Sequence, residues 1–265
     1  MAGRSKPAVL CLSGLDPSGG AGIQADIETL LMTGSHCLPV ITSLTVQDSQ
    51  NVFSTQPVAA ELLVRQVEML RDDISVDAIK IGLMDSPETI RCVSRLLDLF
   101  PNIPIVADPV LKAGGGFDFG AADLAVLYRQ FIVPRCTVLT PNTTELYLLS
   151  PESGSHPDAA RQLCDDGCQY VLLTGTHDQS TNVINRLYDQ SLNNEAVQWS
   201  WPRLDDVYHG SGCTLATALA SFLAHGAHIE SAAAQAQQFT WNALNHGWRA
   251  GQGQLMPDRF CGIAK

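Results

Sequence analysis

Short apolar runs rich in β-branched residues recur at 9–12, 40–45, 78–81, 105–107, 137–139 and 170–173, with the length and composition of buried strands. Between them, apolar residues fall at helical spacing: Ile23, Ile27, Leu30 and Leu31; Leu62, Leu63, Val67 and Leu70; Ile90, Val93, Leu96 and Leu97. Such alternation predicts βαβ units, hence an α/β fold with a mainly parallel central sheet and helices on both faces. After Leu173 the rhythm changes. Residues 183–188 and 196–199 read as antiparallel or edge strands, and two Ala-rich helices follow over about 210–224 and 229–248. No linker, internal repeat or low-complexity segment interrupts the 265 residues, so 1–265 reads as one domain.

Composition acts mainly by exclusion. Hydrophobic residues make up 45% and charged residues 16% of the chain, enough apolar material for a core and too little charge for disorder. The formal net charge is −11 and the basic residues are scattered, so nothing resembles a stripe that would neutralise a nucleic acid. Lysine occurs only at Lys6, Lys80, Lys112 and Lys265. Any phosphate is therefore expected to be held by backbone amides, arginine or a cation. The apolar run 8–12 is too short for a signal sequence or a bilayer span, which predicts a cytoplasmic protein with no membrane partner. Eight cysteines at irregular spacing, without histidine beside the Cys164/Cys168 pair, argue against zinc and for small buried thiols in a reducing compartment.

In open α/β sheets ligands lie beyond the carboxyl ends of the strands, so the residues that follow each strand are the candidates for chemistry. After the first comes Ser13-Gly14-Leu15-Asp16-Pro17-Ser18-Gly19-Gly20-Ala21-Gly22-Ile23-Gln24-Ala25-Asp26. Its Gly20-x-Gly22-x-x-Ala25 matches a dinucleotide fingerprint, although the glycines come late after the strand. A tight strand-to-helix connection and a loop lying against a flat ligand are the other two readings. No G-x-x-x-x-G-K-[ST] occurs.

A second segment, Asp205-Asp206-Val207-Tyr208-His209-Gly210-Ser211-Gly212-Cys213-Thr214, runs straight into an Ala/Leu helix. Amides converging at that helix N-terminus would steady a transferring phosphoryl group, and Cys213 in the first turn is expected to have a lowered pKa. The plainer reading is a Gly-rich turn with a buried thiol. Asp108-Pro109-Val110 and Pro141-Asn142-Thr143-Thr144-Glu145 supply oxygens suited to Mg²⁺; Asn142 and Glu145 also have capping-box spacing.

These blocks, in order with Val40-Ile41-Thr42-Ser43-Leu44-Thr45-Val46-Gln47, Lys80-Ile81-Gly82 and Thr140 before Pro141, closely resemble the hydroxymethylpyrimidine/phosphomethylpyrimidine kinases of thiamine biosynthesis, members of the ribokinase-like superfamily. The resemblance covers almost the whole chain. It implies a ribokinase-like three-layer sandwich and transfer of the γ-phosphoryl of ATP, with Mg²⁺, first to 4-amino-5-hydroxymethyl-2-methylpyrimidine and then to its monophosphate. It implies that Asp26 and Gln47 bond the pyrimidine, flanked by Gly14, Leu83 and Val110. Cys213 then faces the acceptor oxygen as a thiolate base, with the amides of Gly210, Ser211 and Gly212 beside it. Asp108, Asn142, Thr174 and Gly175 fall at nucleotide positions, Asp108 and Glu145 toward the metal. Homodimers are common in the family, and Phe239, Trp241 and Leu244 are candidates for that contact or for packing on the chain's own sheet.

The chain departs from the commonest family pattern. Thr174-Gly175-Thr176-His177 stands where many members have Lys-Gly-Gly-His, so the phosphate-contacting lysine is missing; His177, Arg186 or a monovalent cation would have to compensate. The loop 111–116 carries its lysine, Lys112, early, and Gly-Ser-Gly replaces Gly-Thr-Gly before Cys213. A pyridoxal/pyridoxine kinase of the same fold is the main rival, although those relatives usually place aspartate where Cys213 stands. A ligand-binding homologue without turnover is the other, supported by Thr174 alone. Residues 251–265 give no reading.

Overall fold

The computed structural model describes residues 6–112, 116, 119–176, 181–190 and 197–261. In chain order the elements are β1 (Ala8–Leu15), α1 (Gly22–Met32), β2 (His36–Gln47), β3 (Val52–Pro57), α2 (Ala60–Asp73), β4 (Ala78–Ile81), α3 (Pro87–Leu97), β5 (Ile105–Ala107), α4 (Ala121–Phe131), β6 (Val138–Leu139), α5 (Thr143–Leu149), α6 (His156–Asp165), β7 (Tyr170–Leu173), β8 (Asn182–Asp189), β9 (Val197–Pro202), α7 (Ser211–Ala224) and α8 (Ile229–Asn245). The nine strands form one sheet in the order β3-β2-β1-β4-β5-β6-β7-β8-β9. The six central strands pair in parallel, whereas β3, β8 and β9 pair antiparallel.

Alternation along β1 explains the three layers. Leu10 and Leu12 join one buried cluster with Ile90, Val93, Leu96 and Leu163, whereas Val9 and Cys11 join another with Ile23, Leu30, Leu215 and Leu219. Helices α2 to α6 cover the first face; α1, α7 and α8 cover the second. Most alanines of α7 and α8, including Ala216, Ala220, Ala232 and Ala236, are fully buried, and their small size lets the two helices approach each other and the sheet closely. Three elements went unread in the sequence. Strand β3 has one buried residue, Val52, and so no apolar run; α4 and α6 are short crossover helices.

One charged cluster crosses the second layer. Lys80 of β4 and Asp26 of α1 are both completely buried and ion-paired, Nζ to Oδ1, at 2.9 Å. Ser13 Oγ donates to Asp26 Oδ2 at 2.6 Å, Lys80 Nζ donates to Ser13 Oγ at 3.0 Å, and Thr217 Oγ1 donates to Asp26 Oδ1 at 2.5 Å. Removing one partner strands the other charge, so Lys80→Met is expected to cost about 3–5 kcal/mol in urea unfolding. The double variant Lys80→Met/Asp26→Leu should recover most of that loss; a double variant no more stable than the single would contradict the pairing.

Candidate active site

The chain leaves β1 toward β2 on one side, and the sheet continues through β4 on the other. A reversal of this kind opens a crevice at the carboxyl ends of the strands. There a cavity of about 660 Å³ is lined by Gly14 and Asp16 after β1, Leu83 after β4, Asp108 and Val110 after β5, Asn142 and Glu145 after β6, and Thr174 after β7. Gln47 at the end of β2 and Gly210, Ser211, Gly212 and Cys213 at the start of α7 complete it. Thus the cavity gathers twelve of the fourteen expected site residues, all but Asp26 and Gly175.

These two residues lie away from the cavity surface. Asp26, expected to bond the pyrimidine, is fully buried with both oxygens committed to Lys80, Ser13 and Thr217, because α1 carries it beneath the cavity floor. Gly175 turns its N–H to Asn185 Oδ1 at 3.0 Å instead of into the cavity. Thr174 lines the cavity, but its hydroxyl donates back to the Pro141 carbonyl at 3.4 Å. Arg186, a candidate substitute for the missing lysine, is not among the described residues lining this cavity; His177 and positions 113–115 of the Lys112 loop lie outside the described residues.

At the start of α7, Gly210 is left-handed with φ 69°, and a Cβ there would collide with the Gly20 carbonyl. Glycine therefore lets the backbone turn so that the amides of Ser211, Gly212 and Cys213, which have no partners one turn back in the helix, face the cavity. Asp108 lies against this turn: its Oδ1 would sit 3.4 Å from a Cβ on Gly212.

Electrostatics reverse one expectation. Cys213 keeps part of its surface open to the cavity, yet its thiol is pushed up to about 12. Burial is the main cause; Asp108 and Asp26 add to it, against opposing effects of Lys80 and a backbone bond from Gly22. The helix N-terminus does not make it a thiolate at neutral pH. The Asp108 carboxyl is itself raised to about 6, chiefly by burial and further by Asp26, while Lys80 and a hydrogen bond with Cys213 hold it down. Glu145 is raised well above the usual carboxylate range by burial and by Asp108.

Asn142 and Glu145 form the capping box of α5: Asn142 Oδ1 accepts from the Glu145 N–H and Glu145 Oε2 accepts from the Asn142 N–H, each at 2.9 Å. Among the described residues no three His, Cys, Asp or Glu side chains form a metal cage. Two buried carboxylates that repel each other beside a cavity nevertheless fit Mg²⁺, which keeps several waters and takes its remaining oxygens from phosphates.

Asp16 was missed in the sequence, where the readings of this segment rest on its glycines. Its carboxylate accepts from the backbone of Ser18 and Ala21, each at 2.8 Å, and meets His209 Nε2, 193 residues away in the chain, at 2.8 Å. Burial alone would raise this carboxyl, but bonds from His209, Gln47 and Ser18 outweigh it and hold Asp16 well below its usual range. The far wall was also illegible. There Gln237 Oε1 accepts from Asn185 Nδ2 and Trp201 Nε1, each at 2.9 Å, and Trp201 stacks on Trp241 with ring centroids 6.4 Å apart. The dimer candidates on α8 accordingly face their own chain: Trp241 Nε1 donates to the Pro202 carbonyl, Leu244 lines the cavity and Phe239 packs on the second core.

A parallel sheet with antiparallel edges, carrying an amide-lined helix N-terminus and buried carboxylates over one cleft, defines a kinase of the ribokinase-like class. The Staphylococcus aureus pyridoxal kinase in complex with AMP-PCP superposes with a TM-score of 0.87 at 25% identity, covering 98% of this chain and 96% of that one. More narrowly, the chain belongs to the phosphomethylpyrimidine kinase family, whose sequence profile matches residues 16–258. The hydroxymethylpyrimidine/phosphomethylpyrimidine kinase of Bacillus subtilis is 31% identical over 257 residues, 95% of this chain and 94% of that one. The chain also matches the thiamine biosynthesis bifunctional protein ThiED of Geobacter sulfurreducens at 32% identity, spanning 51% of its length. Among the described residues no helix is long and apolar enough to cross a membrane.

Proposed function

We propose that the protein transfers the γ-phosphoryl of ATP to the hydroxymethyl oxygen of 4-amino-5-hydroxymethyl-2-methylpyrimidine and then to the resulting monophosphate. The observation that carries this reading is the Cys213–Asp108 pair under the α7 amides, facing a cleft bounded by Gly14, Gln47, Leu83 and Val110. A flat ring lying against the adjoining Gly14 and Leu83 would meet polar groups at its edge from Gln47 and Asp16. Asp108 and Glu145 would hold Mg²⁺, which when bound supplies charge neutralisation for the nucleotide phosphates.

The raised thiol pKa changes the proton path. Cys213 is protonated at neutral pH, so it acts as a relay: the acceptor hydroxyl passes its proton to Sγ as the Sγ–H proton passes to the Asp108 carboxylate. Meanwhile the acceptor oxygen bonds to phosphorus and the bond to the departing ADP oxygen breaks, with the Ser211, Gly212 and Cys213 amides steadying the negative charge.

The alternative acceptor is pyridoxal, favoured by the likeness to a pyridoxal kinase structure. Steady-state ATP consumption with Mg²⁺ and each acceptor in turn tests the choice. Both pyrimidines are expected to turn over faster than pyridoxal; turnover of pyridoxal alone would refute the substrate, and none would favour a ligand-binding homologue.

A further inference from the structure

The segment after α8 is not a loose end. Leu255 forms a parallel bridge with Tyr208, the His209 N–H donates to the Leu255 carbonyl and the Leu255 N–H to the Val207 carbonyl, both at 2.9 Å. Met256 and Trp248 exchange backbone hydrogen bonds at 2.8 and 2.9 Å, and the Asp258 N–H donates to the Ala243 carbonyl at 2.9 Å. This strap delivers Arg259, only 1% exposed, between the two glycine-rich loops that frame the cleft.

The guanidinium forks three ways. Nη2 donates to the Gly20 carbonyl at 2.6 Å, Nε to Thr214 Oγ1 at 2.9 Å, and Nη1 to Glu28 Oε2 at 2.9 Å. Thr214 Oγ1 in turn donates to the Gly210 carbonyl at 2.8 Å, so the fork reaches the residue that opens the amide-lined turn. A Cβ on Gly210 would lie 3.0 Å from Nη2, which leaves no room for slack between the loops. Only a planar, permanently charged group with several fixed donors bonds a carbonyl, a hydroxyl and a carboxylate at once; a lysine ammonium does not span them.

We infer that Arg259 is a positioning residue for phosphoryl transfer: through Gly20, Thr214 and Glu28 it fixes the acceptor-side loop after β1 against the α7 amides. The catalytic part of this inference rests on the kinase reading above; the structural part does not. Misplacing reacting groups by about 1 Å costs on the order of 10²-fold in rate. Arg259→Lys should therefore lower kcat by about 10- to 100-fold with KM for ATP changed less than about threefold. Methylguanidinium at millimolar concentration should restore part of the turnover of Arg259→Ala.

Glu28→Gln lies outside the cleft and weakens the fork without emptying it, so a smaller fall of about fivefold in kcat is expected. In parallel, hydrogen exchange of the bonded His209 and Thr214 amides should rise about tenfold in Arg259→Lys while β4 and β5 stay protected. Unchanged kcat in a folded Arg259→Lys, or unchanged exchange at the His209 and Thr214 amides, overturns the inference. If Arg259→Lys does not fold, an undiminished kcat in Glu28→Gln does so. If the native protein turns over no acceptor, the kinase reading fails and the exchange measurement alone decides whether Arg259 fixes the loops.

Discussion

Cys213→Ala is expected to slow phosphorylation of the hydroxymethyl group by about 10²- to 10⁴-fold, the usual range for proton transfer by a positioned side chain. Phosphorylation of the monophosphate should fall by less than about tenfold, because a phosphate monoester with a second pKa near 6 is already ionised at pH 7.5 and has no proton to give up. Cys213→Ser sharpens the test. A hydroxyl still bridges substrate and Asp108, so the serine variant should retain turnover within about tenfold of the native protein if the group is a relay. Serine as poor as alanine would point to a thiolate base instead, and equal losses in both phosphorylation steps would remove Cys213 from proton transfer. Single-turnover measurements with each acceptor separate the cases, since they report chemistry without product release.

Asp108→Asn should abolish most of the first phosphorylation, by at least about 10²-fold, while making the metal-free protein more stable. The sign follows from the raised carboxyl. In the folded protein burial raises the Asp108 carboxyl to about 6, against about 3.9 for an unperturbed aspartate. Its protonated form therefore favours folding below about pH 4, and that contribution is lost as pH rises through 6. Above pH 6 the fold carries an ionised, buried carboxylate at a cost of up to about 3 kcal/mol, from 1.36 kcal/mol for each pKa unit. Urea unfolding in chelator should show the asparagine variant gaining on the native protein by an amount approaching that cost between pH 4 and pH 8. The effect on Glu145 has the same sign, because removing Asp108 removes one of the charges that raises it. A stability difference that does not change with pH would show that Asp108 is not strained by burial. For the active enzyme, the acid limb of turnover should fall at or below about pH 6, lower when Mg²⁺ is bound.

Stability given up at Asp108 and retained elsewhere is how functional sites commonly violate the rules that the rest of a fold obeys. Lys80 and Asp26 are the counterpart: equally buried, but paired and hydrogen-bonded, so they hold four elements together beneath the cleft.

By itself the sequence determined the strands that carry unbroken apolar runs, the three periodic helices and the antiparallel turn after Leu173, because strand and helix periods are local properties of the chain. Strands at 78–81, 105–107 and 170–173 coincide with β4, β5 and β7. It also marked both glycine-rich loops, since left-handed turns and helix starts leave residue-type signatures. Tertiary structure decided the rest. Asp26 and Asp16 are ten residues apart and look alike as post-strand carboxylates, but α1 turns one under the floor to Lys80 and leaves the other facing the cleft with His209. The thiol pKa of Cys213 depends on burial and on Asp108, a residue from another strand, and those outweigh the helix position that the sequence reveals. Arg259 gave no signal at all, because its partners Gly20, Glu28 and Thr214 lie 45 to 239 residues away and only folding brings a buried fork to them.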